Sequence, residues 1–110
     1  METIKFLVQG SAKEPYEVEF IKREKNLSAK CTCVAGENGT YCKHRFNIMN
    51  GLTIGVVSQN KSDTEKIKAW LSGTDVEMAL IDVTEKEEKF EKAKQSLAIA
   101  KKRLAKAMRD

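Results

Sequence analysis

All three cysteines and the single histidine of this chain fall between positions 31 and 44. They read Cys31-Thr32-Cys33, then eight residues, then Cys42-Lys43-His44. Thiolate and imidazole are the donors zinc favours, and three cysteines with one histidine make a closed tetrahedral set. Two cysteines separated by one residue on a strand point to the same face. Cys42 and His44 at the start of a helix can face the same point across the intervening loop, and a helix N-terminus favours thiolate over thiol.

Two other readings compete with a metal. Cysteine is often simply a small buried hydrophobe, but that leaves unexplained why the only histidine sits among all the cysteines. A Cys–His pair can also serve as a nucleophile and base. The same four residues, however, fill a zinc coordination shell and leave no open position for water or substrate. The expectation is one structural zinc held by Cys31, Cys33, Cys42 and His44, and no enzyme. The rest of the chain offers no Gly-rich phosphate loop, no spare histidine, and no paired acids outside a solvated helix.

The elements that must position these donors can be read from periodicity. Ile4, Phe6 and Val8 alternate with polar neighbours over residues 3–9, a strand pattern. A turn containing Gly10 and Pro15 follows, and Tyr16, Val18 and Phe20 mark a second strand at 16–22. After a short charged turn at 23–26, Leu27, Ala29, Cys31 and Cys33 share one face of a third strand. Short turns between successive strands imply an antiparallel meander. Residues 35–40 read as a loop with an Asn38-Gly39 turn, and 42–50 as a short helix closed by Gly51. Residues 52–58 fit either a fourth strand or an ordered connector.

The remainder is helical. Ser62 with Glu65 forms a capping-box signal before Ile67, Trp70 and Leu71, and Gly73 ends that helix. The signal repeats at Thr74 with Glu77 and again at Thr84 with Glu87. Residues 75–109 therefore form either one long helix or, the arrangement favoured, a short helix, a break near Asp82–Thr84, and a final helix of about 25 residues, some 38 Å long.

Cys-x-Cys followed by Cys-x-His, after a Tyr16-x-Val18-x-Phe20 strand and before Arg45-Phe46-Asn47-Ile48, resembles the SWIM zinc finger. The resemblance covers residues 16–50, with the Gly-containing spacer and Lys43 as supporting features. It implies that the four residues named above are zinc ligands and that the module binds DNA or protein. No ATPase, transposase or kinase domain, the usual companions of such fingers, lies in these 110 residues.

Composition bounds the rest. Leu, Ile, Val and Phe account for 25 of 110 residues, enough for a folded protein with a thin core. No apolar run approaches a membrane span, and the opening METIKFLVQG does not resemble a signal peptide. An odd number of thiols suits a reducing, intracellular setting. Net charge is +4, but residues 75–91 carry −5 and residues 92–109 carry +7.

Two modes of action follow. In the first, the C-terminal helix serves protein association, with a partner or with itself. Val76, Val83, Phe90, Leu97 and Leu104 recur every seven residues. Ala79, Ala93, Ala100 and Ala107 follow three residues behind, with Lys86 in the remaining slot. In the second, Lys30, Lys43 and Arg45 beside the donors, with Lys101, Lys102, Arg103 and Lys106, contact nucleic-acid phosphates. The C-terminal bases also complement the helix dipole without any partner.

Together these readings describe an α+β protein. A small antiparallel three-stranded sheet and a short helix surround a zinc site in residues 1–60, and residues 61–110 form a helical region with one long helix. Protein association, in a DNA-associated setting, is the favoured function, with direct nucleic-acid binding as the alternative. No small-molecule substrate and no membrane are expected.

Overall fold

The structure is a computed structural model that describes residues 1–109. It is α+β: strands β1 (Glu2–Val8), β2 (Tyr16–Arg23) and β3 (Asn26–Cys31) form one antiparallel sheet in the order β1-β2-β3. Helices α1 (Val34–Glu37), α2 (Lys43–Met49), α3 (Thr64–Leu71) and α4 (Asp75–Arg109) follow, with a short 3₁₀ turn at Lys61–Asp63. The chain divides into two compact units, Met1–Glu77 and Met78–Asp110.

In the first unit, alternation along each strand decides the buried face. Phe6 pairs with Val18, and Val18 with Cys31, so one row across the sheet carries two fully buried apolar side chains and a thiol. The next row joins Ile4, Phe20 and Ala29, and the Phe6 and Phe20 rings meet edge to face at 6.0 Å. Ile48 of α2 and Ile67 of α3 are also fully buried, and α2 packs against both α3 and β3.

Glu24 and Lys25 alone link β2 to β3, and Glu24 adopts a positive φ of 50°. Such a two-residue loop matches the twist of the paired strands. Gly51, at φ +80°, ends α2 in a Schellman motif. Its N–H bonds the Ile48 carbonyl at 2.9 Å, and the Leu52 N–H bonds the Asn47 carbonyl at 2.9 Å. A β-carbon would be strained in that conformation, which is why glycine occupies the position.

Residues 52–58 form an ordered connector, not a strand, with a single bridge between Val8 and Val56. It lies along the outer edge of β1. The Gln9 N–H bonds the Gly55 carbonyl, the Val57 N–H bonds the Leu7 carbonyl, and the Leu7 N–H bonds the Ser58 hydroxyl. Asn60 adds a bond to the Lys5 carbonyl.

Three local expectations are corrected. Cys33 does not continue β3. The strand ends at Cys31, Thr32 keeps two bonds with Glu17 (its N–H to the Glu17 carbonyl, its hydroxyl accepting the Glu17 N–H), and Cys33 turns the chain into α1, in place of a plain loop. Ser62 does not cap α3. It lies inside the 3₁₀ turn, and Asp63, the N-cap residue, makes no side-chain cap bond.

The third correction concerns the break near Asp82–Thr84, which is absent. α4 runs unbroken for 35 residues, about 52 Å at the standard rise. The Thr84 hydroxyl donates to the Leu80 carbonyl within the helix instead of capping a new one. Asp82 and Lys86 form an ion pair at 2.6 Å across the same turn. The start of α4 does follow expectation: the Glu77 N–H bonds the Thr74 hydroxyl, and the Glu77 carboxylate returns to the Gly73 N–H.

Candidate metal centre

The four donors arrive from three pieces of chain. Cys31 is the last residue of β3, held on the core face by its pairing with Val18. Cys33 is the N-cap of α1, and its sulfur accepts the Gly36 N–H at 3.3 Å. Cys42 is the N-cap of α2, and His44 lies in that helix's first turn. The three cysteines are buried and free of disulfides, and His44 is half-buried.

One donor atom from each residue can be chosen so that all four lie within 4.8 Å of one another. The Cys33 and Cys42 sulfurs are 3.4 Å apart. His44 Nδ1 lies 3.7 Å from the Cys31 sulfur and 3.6 Å from the Cys42 sulfur. A tetrahedral zinc site with its usual bond lengths has sulfur–sulfur edges of about 3.8 Å and sulfur–nitrogen edges of about 3.6 Å. The cluster therefore can hold a metal ion, and its dimensions and donor chemistry fit zinc.

The electrostatics push two of the thiols in opposite directions. Burial is the main cause that pushes the Cys31 thiol up to about 12, with contributions from the neighbouring Cys33 and Cys42 sulfurs. Burial acts on Cys42 in the same sense, but there it is outweighed. The Arg45 backbone N–H and the side chains of Cys33, His44 and Cys31 all favour the thiolate and bring Cys42 down to about 6. A cation among these sulfurs takes over the role of the protons they would otherwise share.

Three neighbours shape the site without donating to it. Gly36 packs so tightly on β3 that a β-carbon there would collide with the Cys31 carbonyl oxygen. The Tyr16 ring lies against His44, with centroids 4.9 Å apart. Gly10 lets the chain pass that ring, since its β-carbon would fall 2.7 Å from a Tyr16 ring carbon. The only sequence signals for these roles are a glycine three residues after Cys33 and an aromatic residue in phase with Val18 and Phe20.

The basic residues near the donors divide by role. Lys30, on β3, and Lys43 are both exposed. Arg45 is already engaged, with Nη1 donating to the Ala29 carbonyl at 3.2 Å and Nη2 to the Thr40 carbonyl at 2.6 Å. It thereby ties α2 to β3 and to the loop before Cys42. Tyr41 stacks on Phe46 at 5.6 Å, and a concavity lined by Ala35, Tyr41 and Lys43 opens over Cys33, Cys42 and His44. Lys101, Lys102, Arg103 and Lys106 lie in the second unit, exposed on α4, and no ion pair to a described carboxylate involves them.

Among the described residues, no helix is long and apolar enough to cross a membrane. No protein-family description, curated protein or solved structure matches the chain.

Proposed function

We propose that this chain is a zinc-binding, SWIM-like interaction module. One structural zinc, held by Cys31, Cys33, Cys42 and His44, fixes the fold, and the module works by protein association in a DNA-associated setting. The observation that carries this reading is the closed donor set: four donor atoms within 4.8 Å, three of them from buried cysteines. A metal with four protein ligands has no open position for substrate, which favours a structural role over catalysis. The Cys-x-Cys and Cys-x-His spacing, and the strand that leads into it, support the SWIM-like reading. Association is supported by α4, which exposes Phe90, Leu97 and Leu104. Reduced thiols suit a reducing compartment.

The direct test of the metal is elemental analysis of the purified, dialysed protein. One zinc per chain is expected, falling towards zero in Cys33→Ser. A ratio near zero in the unaltered protein, or a disulfide among the cysteines by mass, overturns the reading.

A second reading, non-specific nucleic-acid binding, draws on one observation: Lys101, Lys102, Arg103 and Lys106 are exposed and carry no described carboxylate partner. On that reading, binding to duplex DNA falls steeply with salt. Replacing these four residues with glutamine then flattens the salt dependence, by about 0.9 in slope for each phosphate no longer neutralised. Binding that is absent at low salt removes this reading and leaves association standing.

A further inference from the structure

We propose that α4 is a dimerisation helix that pairs antiparallel with the α4 of a second copy of this chain. The inference deepens the association reading above by naming the partner. It begins from a row of large apolar residues that the chain leaves in solvent: Phe90 is 66% exposed, Leu97 55% and Leu104 60%. None of the described residues of α4 is buried. The seven-residue apolar repeat of this 35-residue helix thus presents an uncovered seam from Phe90 onward, while Val76 and Val83 are half-buried.

Charge identifies the occupant. A parallel second copy would set the −5 half against another −5 half, and the +7 half against another +7 half. An antiparallel copy sets each acidic half along a basic one, so the helix is its own complement only when reversed.

The seam selects the same orientation and also a register. With Val76 placed opposite the partner's Ala107, Phe90 falls opposite the partner's Ala93, and every large residue of the row except Leu97 meets an alanine. Alternating a large residue with a methyl group lets the two axes approach closely, at or below the usual 8–10 Å or so. Leu97 meets the partner's Lys86. Within this chain the Lys86 ammonium is paired with Asp82 at 2.6 Å, and the methylene stem of the exposed lysine can cover the leucine.

In the same register the flanking positions carry opposite charges. Glu87 faces the partner's Lys94 and Asp82 faces the partner's Arg103. These pairings occur twice, once on each side of the two-fold axis.

The test is sedimentation equilibrium of the full, metal-loaded chain from low micromolar to sub-millimolar concentration. A reversible dimer that weakens with salt is expected. Phe90→Glu with Leu97→Glu, both at exposed sites, should raise the dissociation constant by about a hundredfold or more while circular dichroism still reports α4.

Orientation is tested with two charge-reversed chains, one carrying Lys94→Glu and Arg103→Glu, the other Asp82→Lys and Glu87→Lys. Each alone should dimerise poorly, and their mixture should recover a dimer near the original affinity. A chain that stays monomeric throughout the range overturns the proposal, as does a mixture that fails to recombine. A monomer that binds duplex DNA with a steep salt dependence does so too, and assigns the basic half to nucleic acid instead. Zinc content measured on the same samples separates the two readings. A monomer with one zinc per chain sinks the pairing alone, whereas a dimer without zinc supports the pairing and sinks the metal.

Discussion

Gly36 shows how a residue with no side chain can control a metal site. Any β-carbon would collide with the Cys31 carbonyl, which is backbone and cannot swing aside. Gly36→Ala should therefore force α1 away from β3 and carry Cys33 with it. The expected cost is about 1–3 kcal/mol, the usual range for overpacking, together with a measurable drop in zinc affinity in a chelator competition. Gly39→Ala, in the same spacer and with nothing near its β position, provides the contrast: its cost comes only from its φ of 72°.

The cysteines make a second prediction. Metal binding requires thiolates, so protons compete with zinc. Cys31 stays protonated up to about 12, and Cys42 takes its proton below about 6. Through Cys31 alone, each unit of falling pH weakens apparent affinity about tenfold, and below the Cys42 value the loss steepens. Metal-dependent stability is thus present at high pH and lost as pH falls. Chelator titrations between pH 5 and 8 should show this slope, and a flat profile would contradict it. The four donors were legible from the sequence because no other Cys or His competes with them. The tightness at Gly36 was not, because it depends on an approach between segments that only the folded chain brings together.

Among the elements, the three strands were legible because turn residues bound each alternating run. The long helix was legible in existence but not in extent. Thr84 with Glu87 has the composition of a helix start, yet a threonine hydroxyl serves equally well bonded to a carbonyl four residues back. With no glycine or proline after Gly73, nothing in the backbone forces a new start, and the continuous helix prevails. The two alternatives differ in a measurable way. Loss of a true N-cap costs about 1 kcal/mol. Thr84→Ala inside a continuous helix should instead be neutral or stabilising by up to about 0.5 kcal/mol, since alanine is the better helix former. Thermal melts and amide exchange across residues 80–88 give the answer, and destabilisation near 1 kcal/mol, the N-cap cost, would restore the break. The helix that follows Cys33 escaped sequence reading for a related reason: four residues, one of them glycine, carry too little periodicity to announce it.

For the molecule as a whole, the core is small. Five side chains, Phe6, Val18, Phe20, Ile48 and Ile67, are fully buried, and Val18 sits beside Cys31 of the metal cluster. Structural zinc typically supplies on the order of 10–16 kcal/mol of apparent binding energy that is also folding energy, against the few kcal/mol that so small a core leaves over. Removing the metal should therefore unfold the Met1–Glu77 unit cooperatively. α4 exceeds the roughly 15 residues at which an isolated helix becomes viable, so part of its signal should persist. With a chelator, circular dichroism should show partial loss of helix, and the amide NMR spectrum should lose its dispersion in the Met1–Glu77 unit. Retention of that dispersion would mean the zinc is not structural.

Arg45 adds a consequence for solubility. A three-stranded sheet has two outer edges, and each is a template on which a second chain can build. The β1 edge is occupied by the connector, whatever happens at the cysteines. Besides α1 at Cys31, the β3 edge is guarded by a guanidinium on the Ala29 carbonyl, and that guanidinium is carried by the helix that Cys42 caps and that bears His44. If the proposed zinc holds that helix in place, its loss would release the guard together with the helix. The expected hazard is edge-to-edge polymerisation seeded at β3: metal-stripped protein should bind a fibril-sensitive dye after a lag, and zinc added during the lag should abolish it. Arg45→Ala should shorten the lag even at partial metal occupancy. The ion would then keep the chain from templating copies of itself, a protection separate from the folding energy it contributes.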